Sequence, residues 1–280
     1  MQLEAIAQYR RDGYVVLPHL LTADHVTACL AALTRIAEQS SECRDGPALA
    51  FEPGVDPDHA ATTPRVDLVR KFTDFTDADP ALLDAAMSAR LHRELDVIMG
   101  HGRVLMQEMA LVKPPRIGAE KRWHQDAAYF RGSDPNLMFG VWIALDPATT
   151  ENGCMAVIPG SHLVGPVPHV PHADINLCTI RADHVHPDRR IAVPLDPGDA
   201  LVFHSLIHHY TAANRSDLRR RALQFHYHQA GLEWTSLAAH RDRYHDEGGE
   251  YAGCTVALGQ PFAERSSYLP QRLRPVTVTA

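Results

Sequence analysis

The feature that most constrains the fold is a change of texture at Gly100. Ahead of it, apolar residues recur at helical spacing; after it, short β-like runs are broken every few residues by Gly and Pro. Leu3–Arg11 reads as a helix ending at Gly13, followed by a strand at Tyr14–Leu17. Thr22 or Asp24 can cap a second helix, whose Val26, Leu30, Leu33 and Ile36 share a face. From Ser40 to Arg65 no period is sustained, and Pro47, Pro53, Pro57 and Pro64 punctuate a loop. A third helix starts after Asp79, with Leu83, Met87, Leu91 and Leu95 on one side and Gly100 as its stop. Strands are expected near Val104–Val112, Arg122–Ala127, Phe139–Leu145, Met155–Ile158, Leu177–Ile180, Ile191–Pro194, Ala200–His204, Ile207–Thr211 and Ala222–His228. A helical front feeding many short strands predicts a mainly β fold with flanking helices, a double-stranded β-helix or cupin-like jelly roll. No boundary splits the chain, so residues 1–280 read as a single domain.

Charge narrows the function. A net charge of −7 argues against a nucleic-acid surface, and Arg219–Arg221 is too short a basic run to coat a phosphate backbone. No apolar stretch approaches the roughly 20 residues that span a bilayer, and Met1–Arg10 lacks a secretory pattern. Five cysteines without a CxxC pair fit reduced thiols, so a cytoplasmic protein is expected.

The 18 histidines matter only where they stand beside carboxylates. In Trp123-His124-Gln125-Asp126, strand alternation projects His124 and Asp126 to one face and Gln125 to the other. An imidazole beside a carboxylate supplies two corners of a 2-His-1-carboxylate metal triad, which leaves positions open for a chelating co-substrate and O2. Alone, such a tripeptide is weak. Support comes from Gly198 to His209, where a Gly-Asp turn launches an apolar strand and histidines follow. His204, His208 and His209 compete for the third ligand position, and at most one of the adjacent pair can point inward. On the next strand, Arg220 carries a guanidinium able to grip a carboxylate bidentately.

These residues resemble the phytanoyl-CoA dioxygenase family over nearly the whole chain. Tyr9-Arg10-Arg11-Asp12-Gly13-Tyr14-Val15-Val16 looks like the family's opening helix and strand, and Trp123-His124-Gln125-Asp126 like its metal motif. Trp142-Ile143-Ala144-Leu145-Asp146, Glu151-Asn152-Gly153-Cys154 and Ile158-Pro159-Gly160-Ser161-His162 follow in the family's order and spacing. Aligned on Asn214, the resemblance makes His209 the third ligand and Arg220 the anchor of the co-substrate. It also implies co-substrate contacts from Lys71, Met106, Trp142 and Thr211. Tyr210, Thr211 and Ala212 stand where the family has Gly-Ser-Gly; Thr211 keeps a hydroxyl, and Tyr210 adds bulk that would reshape one pocket wall.

The resemblance therefore implies a non-haem Fe(II)- and 2-oxoglutarate-dependent dioxygenase with His124, Asp126 and His209 as metal ligands. It would hydroxylate an aliphatic C–H bond of a small organic substrate with O2, releasing succinate and CO2. A monomer or weak homo-oligomer is expected. The rival readings are a cupin-like hydrolase or isomerase that does not use 2-oxoglutarate, and a non-catalytic binding protein on the same fold. Gln107, Tyr129, Phe130, Arg131 and Tyr210 are candidates to line the substrate pocket, with Gly165–Arg190 as a long insertion and Phe51-Glu52-Pro53-Gly54 as a lid over the mouth.

Overall fold

A computed structural model describes residues 2–39, 48–56, 62–172, 178–245 and 274–275. Pro47, Pro57, Leu177, Cys43 and Cys254 lie outside these residues. Helix α1 (Gln2–Asp12) stops at Gly13, whose positive φ of 82° suits a residue without a side chain, and strand β1 (Tyr14–Leu17) follows. Helix α2 (Ala23–Gln39) is capped by Thr22, whose hydroxyl accepts from the His25 N–H at 3.2 Å. Strand β2 (Ala48–Phe51), a short and partly exposed edge strand, forms within the stretch where the sequence shows no period, and it pairs with β3 (Val69–Thr73).

The expected third helix is two, α3 (Pro80–Met87) and α4 (Ala89–Met99). Ser88 leaves the helical region, and its hydroxyl accepts from the Leu91 N–H at 3.2 Å, so the residue that ends one helix caps the next. Then come β4 (Arg103–Lys113), β5 (Lys121–His124), β6 (Met138–Ala144), β7 (Met155–Val157), β8 (His169–Pro171) and β9 (Cys178–Ile180). The remainder is β10 (Ile191–Val193), β11 (Ala200–His204), β12 (His209–Thr211), β13 (Arg220–Gln229), α5 (Leu237–Tyr244) and β14 (Arg274–Pro275).

Two antiparallel sheets form the jelly roll. The large one runs β1-β11-β6-β13-β4-β3-β2, with β14 also on β4; the small one runs β10-β7-β12-β5. Alternation gives the large sheet two unlike faces. Phe72, Phe139, Val141, Ile143, Val202, Leu223, Phe225 and Tyr227 point to the helices and are fully buried with α2, α3 and α4 residues such as Leu33, Leu82 and Leu95. Burying each such side chain stabilises the fold by about 1.5–3 kcal/mol. On the other face Trp142, Leu201, Phe203 and Ala222 meet Met155, Val157, Val193 and Ile207 of the small sheet and its flanks. Gly140 stands opposite Phe203, and a Cβ there would fall 2.3 Å from the ring, so glycine is what lets Phe203 lie across that strand.

Within the Gly165–Arg190 insertion β8 pairs antiparallel with β9, which falls on the strand expected near Leu177–Ile180. Cys29 and Cys154 are free thiols, but Cys178 is disulfide-bonded, so the expectation of reduced thiols throughout does not hold for it. Among the described residues no helix is long and apolar enough to cross a membrane.

Candidate metal centre

The small sheet and the turn that follows β5 bring His124, Asp126 and His209 together, with one ligand atom from each lying within 4.8 Å of the others. His124 ends β5 and His209 begins β12, and the two residues pair directly across the small sheet. The expected strand through Ala127 ends early. Asp126 opens a 3-10 turn, Asp126–Tyr129, held by the Ala127 N–H donating to the Ser205 carbonyl at 2.9 Å. Gln125 points away as expected. Its amide nitrogen donates to the Gly165 and Leu206 carbonyls, both at 2.8 Å, and its oxygen accepts from the Val167 N–H at 3.0 Å.

Each histidine is oriented by its own strand. His124 Nδ1–H donates to the Arg122 carbonyl at 2.7 Å and His209 Nδ1–H to the Ile207 carbonyl at 3.1 Å. That leaves both Nε2 atoms facing Asp126 Oδ1, each at 3.4 Å. Burial, then His209 and Lys121, push the His124 pKa down to about 3, so the ring stays neutral and able to ligate. For Asp126 burial works upward, yet His209, His226 and His124 outweigh it and hold the carboxyl well below its ordinary range. The result is two imidazoles presenting Nε2 and one carboxylate, all buried, which is the donor set of a 2-His-1-carboxylate iron site.

The second carboxylate oxygen is held from β13. His226 Nε2 donates to Asp126 Oδ2 at 2.7 Å, and the Gln224 amide donates to the same oxygen at 3.4 Å. Neither residue stands out from the sequence as a site residue, although a signal is present. Gln224, His226 and His228 alternate with Leu223, Phe225 and Tyr227, which marks a strand with one polar, inward face. Of the rival histidines, His204 packs its ring on His162 at 5.0 Å and accepts the Leu206 N–H. His208 is buried on the face opposite His209, its backbone N–H donating to the Ser161 hydroxyl.

Arg220 is fully buried on the inner face of β13, with its guanidinium carbon 5.3 Å from the Trp142 ring. One nitrogen donates to the Leu111 carbonyl at 3.3 Å, while among the described residues Nε has no partner, and neither has the buried Trp142 indole N–H. Burial pushes its pKa down to about 10 against the pull of Asp146, Cys154 and Glu52. Unpaired donors in a buried pocket fit a dicarboxylate co-substrate that would complete them. Thr211, two positions beyond His209, is buried on the same face of β12. Lys71 pairs with Leu111 on the inner face of β3, and burial, reinforced by neighbouring Arg70, lowers its pKa to about 8.

Met106 sits at an irregularity in β4. His226 pairs with Gln107 and Tyr227 with Leu105, so Met106 is the extra residue of a bulge, and it packs with Ala127, Phe130 and Met138. Met109 pairs with Gln224 and shares the inner face with it. Tyr129 sets its ring edge-on to His124 at 5.9 Å, and Phe130 packs on His226 at 5.1 Å. Tyr210 alternates with His209 and Thr211, faces away from the triad and stacks on Trp123 at 5.3 Å, so its bulk does not shape the pocket wall. In the Phe51–Gly54 segment, Glu52 is buried and accepts the Ala119 N–H at 3.2 Å.

Residues 9–222 match the phytanoyl-CoA dioxygenase (PhyH) family. The chain belongs to that family. It is a non-haem Fe(II)- and 2-oxoglutarate-dependent dioxygenase. Among its relatives, phytanoyl-CoA dioxygenase domain-containing protein 1 of Danio rerio is 27% identical over 258 residues, covering 79% of this chain and 88% of the relative. The peroxisomal phytanoyl-CoA dioxygenase of Rattus norvegicus is 25% identical over 247 residues, covering 85% and 71%. The crystal structure of EvdO2 from Micromonospora carbonacea var. aurantiaca, complexed with 2-oxoglutarate, is 27% identical with a TM-score of 0.63, over 83% of this chain and 92% of that one. SnoK, a non-haem α-ketoglutarate-dependent carbocyclase from nogalamycin biosynthesis, shares the fold at a TM-score of 0.66 over 98% and 96%, with 23% identity.

Proposed function

We propose that this dioxygenase hydroxylates an aliphatic C–H bond of a small organic substrate, with His124, Asp126 and His209 holding Fe(II) and Arg220 holding the far carboxylate of 2-oxoglutarate. The observation that carries the reading is the pairing of a buried triad of two imidazoles and one carboxylate with a buried, incompletely bonded arginine on the same inner face. Bound Fe(II) and 2-oxoglutarate would supply the oxidising power, as O2 converts the co-substrate to succinate and CO2 and delivers one oxygen atom to the substrate. The chain's own residues do the rest. Arg122 and Ile207 carbonyls hold the histidine rings, and His226 and Gln224 hold Asp126 so that Oδ1 faces the metal position. Trp142 and Thr211 would flank the co-substrate beside Arg220, with Lys71 two strands away from Arg220 on β3 and Met109 on the intervening β4. Tyr129 and Phe130 cover the ligands and limit water.

The test is anaerobic addition of Fe(II) and then 2-oxoglutarate to the metal-free protein, followed by visible absorption. A weak charge-transfer band that needs both additions, and is missing in His124→Ala, is the expected outcome. A folded, metal-loaded protein without that band would instead be a metalloenzyme that does not use 2-oxoglutarate.

A further inference from the structure

Arg70 occupies a bulge. Across from β2, Ala50 pairs with Lys71 and Phe51 with Val69, which leaves Arg70 as the extra residue of β3. A bulge breaks alternation and re-aims a side chain. Val69 and Phe72, three positions apart, are both fully buried in the core beneath the helices. The two residues between them, Arg70 and Lys71, therefore turn together toward the inner face. There Arg70 lies within electrostatic reach of Glu52 and of Tyr129, the residue packed edge-on against His124.

The small sheet uses the same device. His209 pairs with His124 and Thr211 with Lys121, so β5 carries an extra residue opposite β12 and Lys121 comes to the side of His124. Its ammonium donates to the Tyr129 hydroxyl at 2.7 Å and sits 5.1 Å from the ring centroid. Two strands from different sheets thus deliver cations to one tyrosine beside the triad.

Arg70 is the cation left over. Its Nε is buried with no hydrogen-bond partner, and among the described residues no carboxylate pairs with it. Arg70 is half-buried, and Glu52, the carboxylate within its electrostatic reach, makes no ion pair with it and is itself pushed by burial toward its neutral form. A bulge that places such a guanidinium beside a reaction centre makes physical sense when a ligand completes it. Arg220, more deeply buried, also has an Nε without a partner among the described residues, and 2-oxoglutarate would account for it. Nothing yet accounts for Arg70.

We infer that Arg70 holds a carboxylate of the substrate, so that this site takes a carboxylate-bearing small molecule. The inference rests on the Fe(II)/2-oxoglutarate reading above. A planar guanidinium meets a carboxylate with two parallel N–H donors, a geometry lysine does not reproduce.

The experiment uses the anaerobic protein loaded with Fe(II) and 2-oxoglutarate and titrates matched probes: hexanoate against hexanamide, and phenylacetate against phenylacetamide. Binding is read from the shift of the visible band. The acids are expected to bind at least about tenfold tighter than their amides, as a charged hydrogen bond would give. Arg70→Gln should abolish that preference and Arg70→Lys should keep part of it, both with the 2-oxoglutarate requirement within about twofold of native. Equal binding of acids and amides to the native protein, or no binding of either, overturns the inference, as does a preference that survives Arg70→Gln. A roughly tenfold higher 2-oxoglutarate requirement in Arg70→Gln would overturn it too, by reassigning the residue to the co-substrate. Absence of the band in the native protein overturns the underlying reading, and this inference with it.

Discussion

The two faces of β13 are made from the same ten residues and do opposite work. Leu223, Phe225 and Tyr227 face the helices, fully buried in an apolar layer. Arg220, Gln224 and His226 face the barrel, where one reaches toward the co-substrate position and two grip Asp126. Stability is written on the odd positions and chemistry on the even ones, one residue out of step. Substitutions should therefore separate cleanly by parity.

The largest effect belongs to the outer face. Phe225→Ala should lower stability by about 3–5 kcal/mol in denaturant titrations, while the Fe(II)–2-oxoglutarate band still forms in the folded fraction. A band lost before the fold would break the division between faces. On the inner face, Arg220→Met should raise the 2-oxoglutarate requirement by roughly a hundredfold, since it removes a charge-assisted pair from a buried site. In the absence of 2-oxoglutarate the same variant should melt no lower than native, because it deletes a buried charge without a carboxylate partner. A marked fall in melting temperature would show that Arg220 serves the fold as well. His226→Phe should weaken Fe(II) binding or turnover by about 10–100-fold, the usual effect of removing a residue that orients a metal ligand, with Phe130 still packed beside it. Isothermal titration with Fe(II) under argon measures that loss directly.

The smallest effect is on pH. Burial pushes the His92, His204, His208 and His240 pKa values down to about 4, below the unfolded value near 6.5. These rings are neutral in the fold. As pH falls below about 6.5 the unfolded chain takes up protons that the folded chain refuses, so stability declines until about pH 4. Melting curves across this range should show that slope, and His92→Gln should flatten it, since His92 donates to the Ala86 carbonyl inside the helical layer and glutamine carries no titrating group.

Much of the fold and part of the centre are legible in the sequence alone. A strand launched by a clear turn signal, such as Ala200–His204 after Gly198, has the length expected of it, and the Trp123-His124-Gln125-Asp126 segment does carry two members of the triad. The departures share one physical cause. A bulge depends on the partner strand, so nothing in Arg70-Lys71 or in Met106-Gln107 reveals which residue the neighbouring strand will skip. Met106 is the residue its neighbouring strand skips and packs with Ala127, Phe130 and Met138, while alternation along β12 turns Tyr210 to the face opposite the triad, where it stacks on Trp123. The third ligand poses a different problem. His204, His208 and His209 are equivalent by composition, and within the sequence only the family resemblance separates them; in the fold, the cross-strand pairing with His124 does so.

The histidines and the carboxylate of the triad also differ in portability. His124 and His209 each fasten their ring to the carbonyl two residues earlier, and His169 does the same with Val167. That arrangement travels with three consecutive residues and would survive transplantation onto another strand pair. The aspartate has no such local tether and depends on a strand that arrives a hundred positions later. Anyone rebuilding this centre in a foreign barrel should expect the imidazoles to come along unaided and the acid to need its distant guardian imported with it.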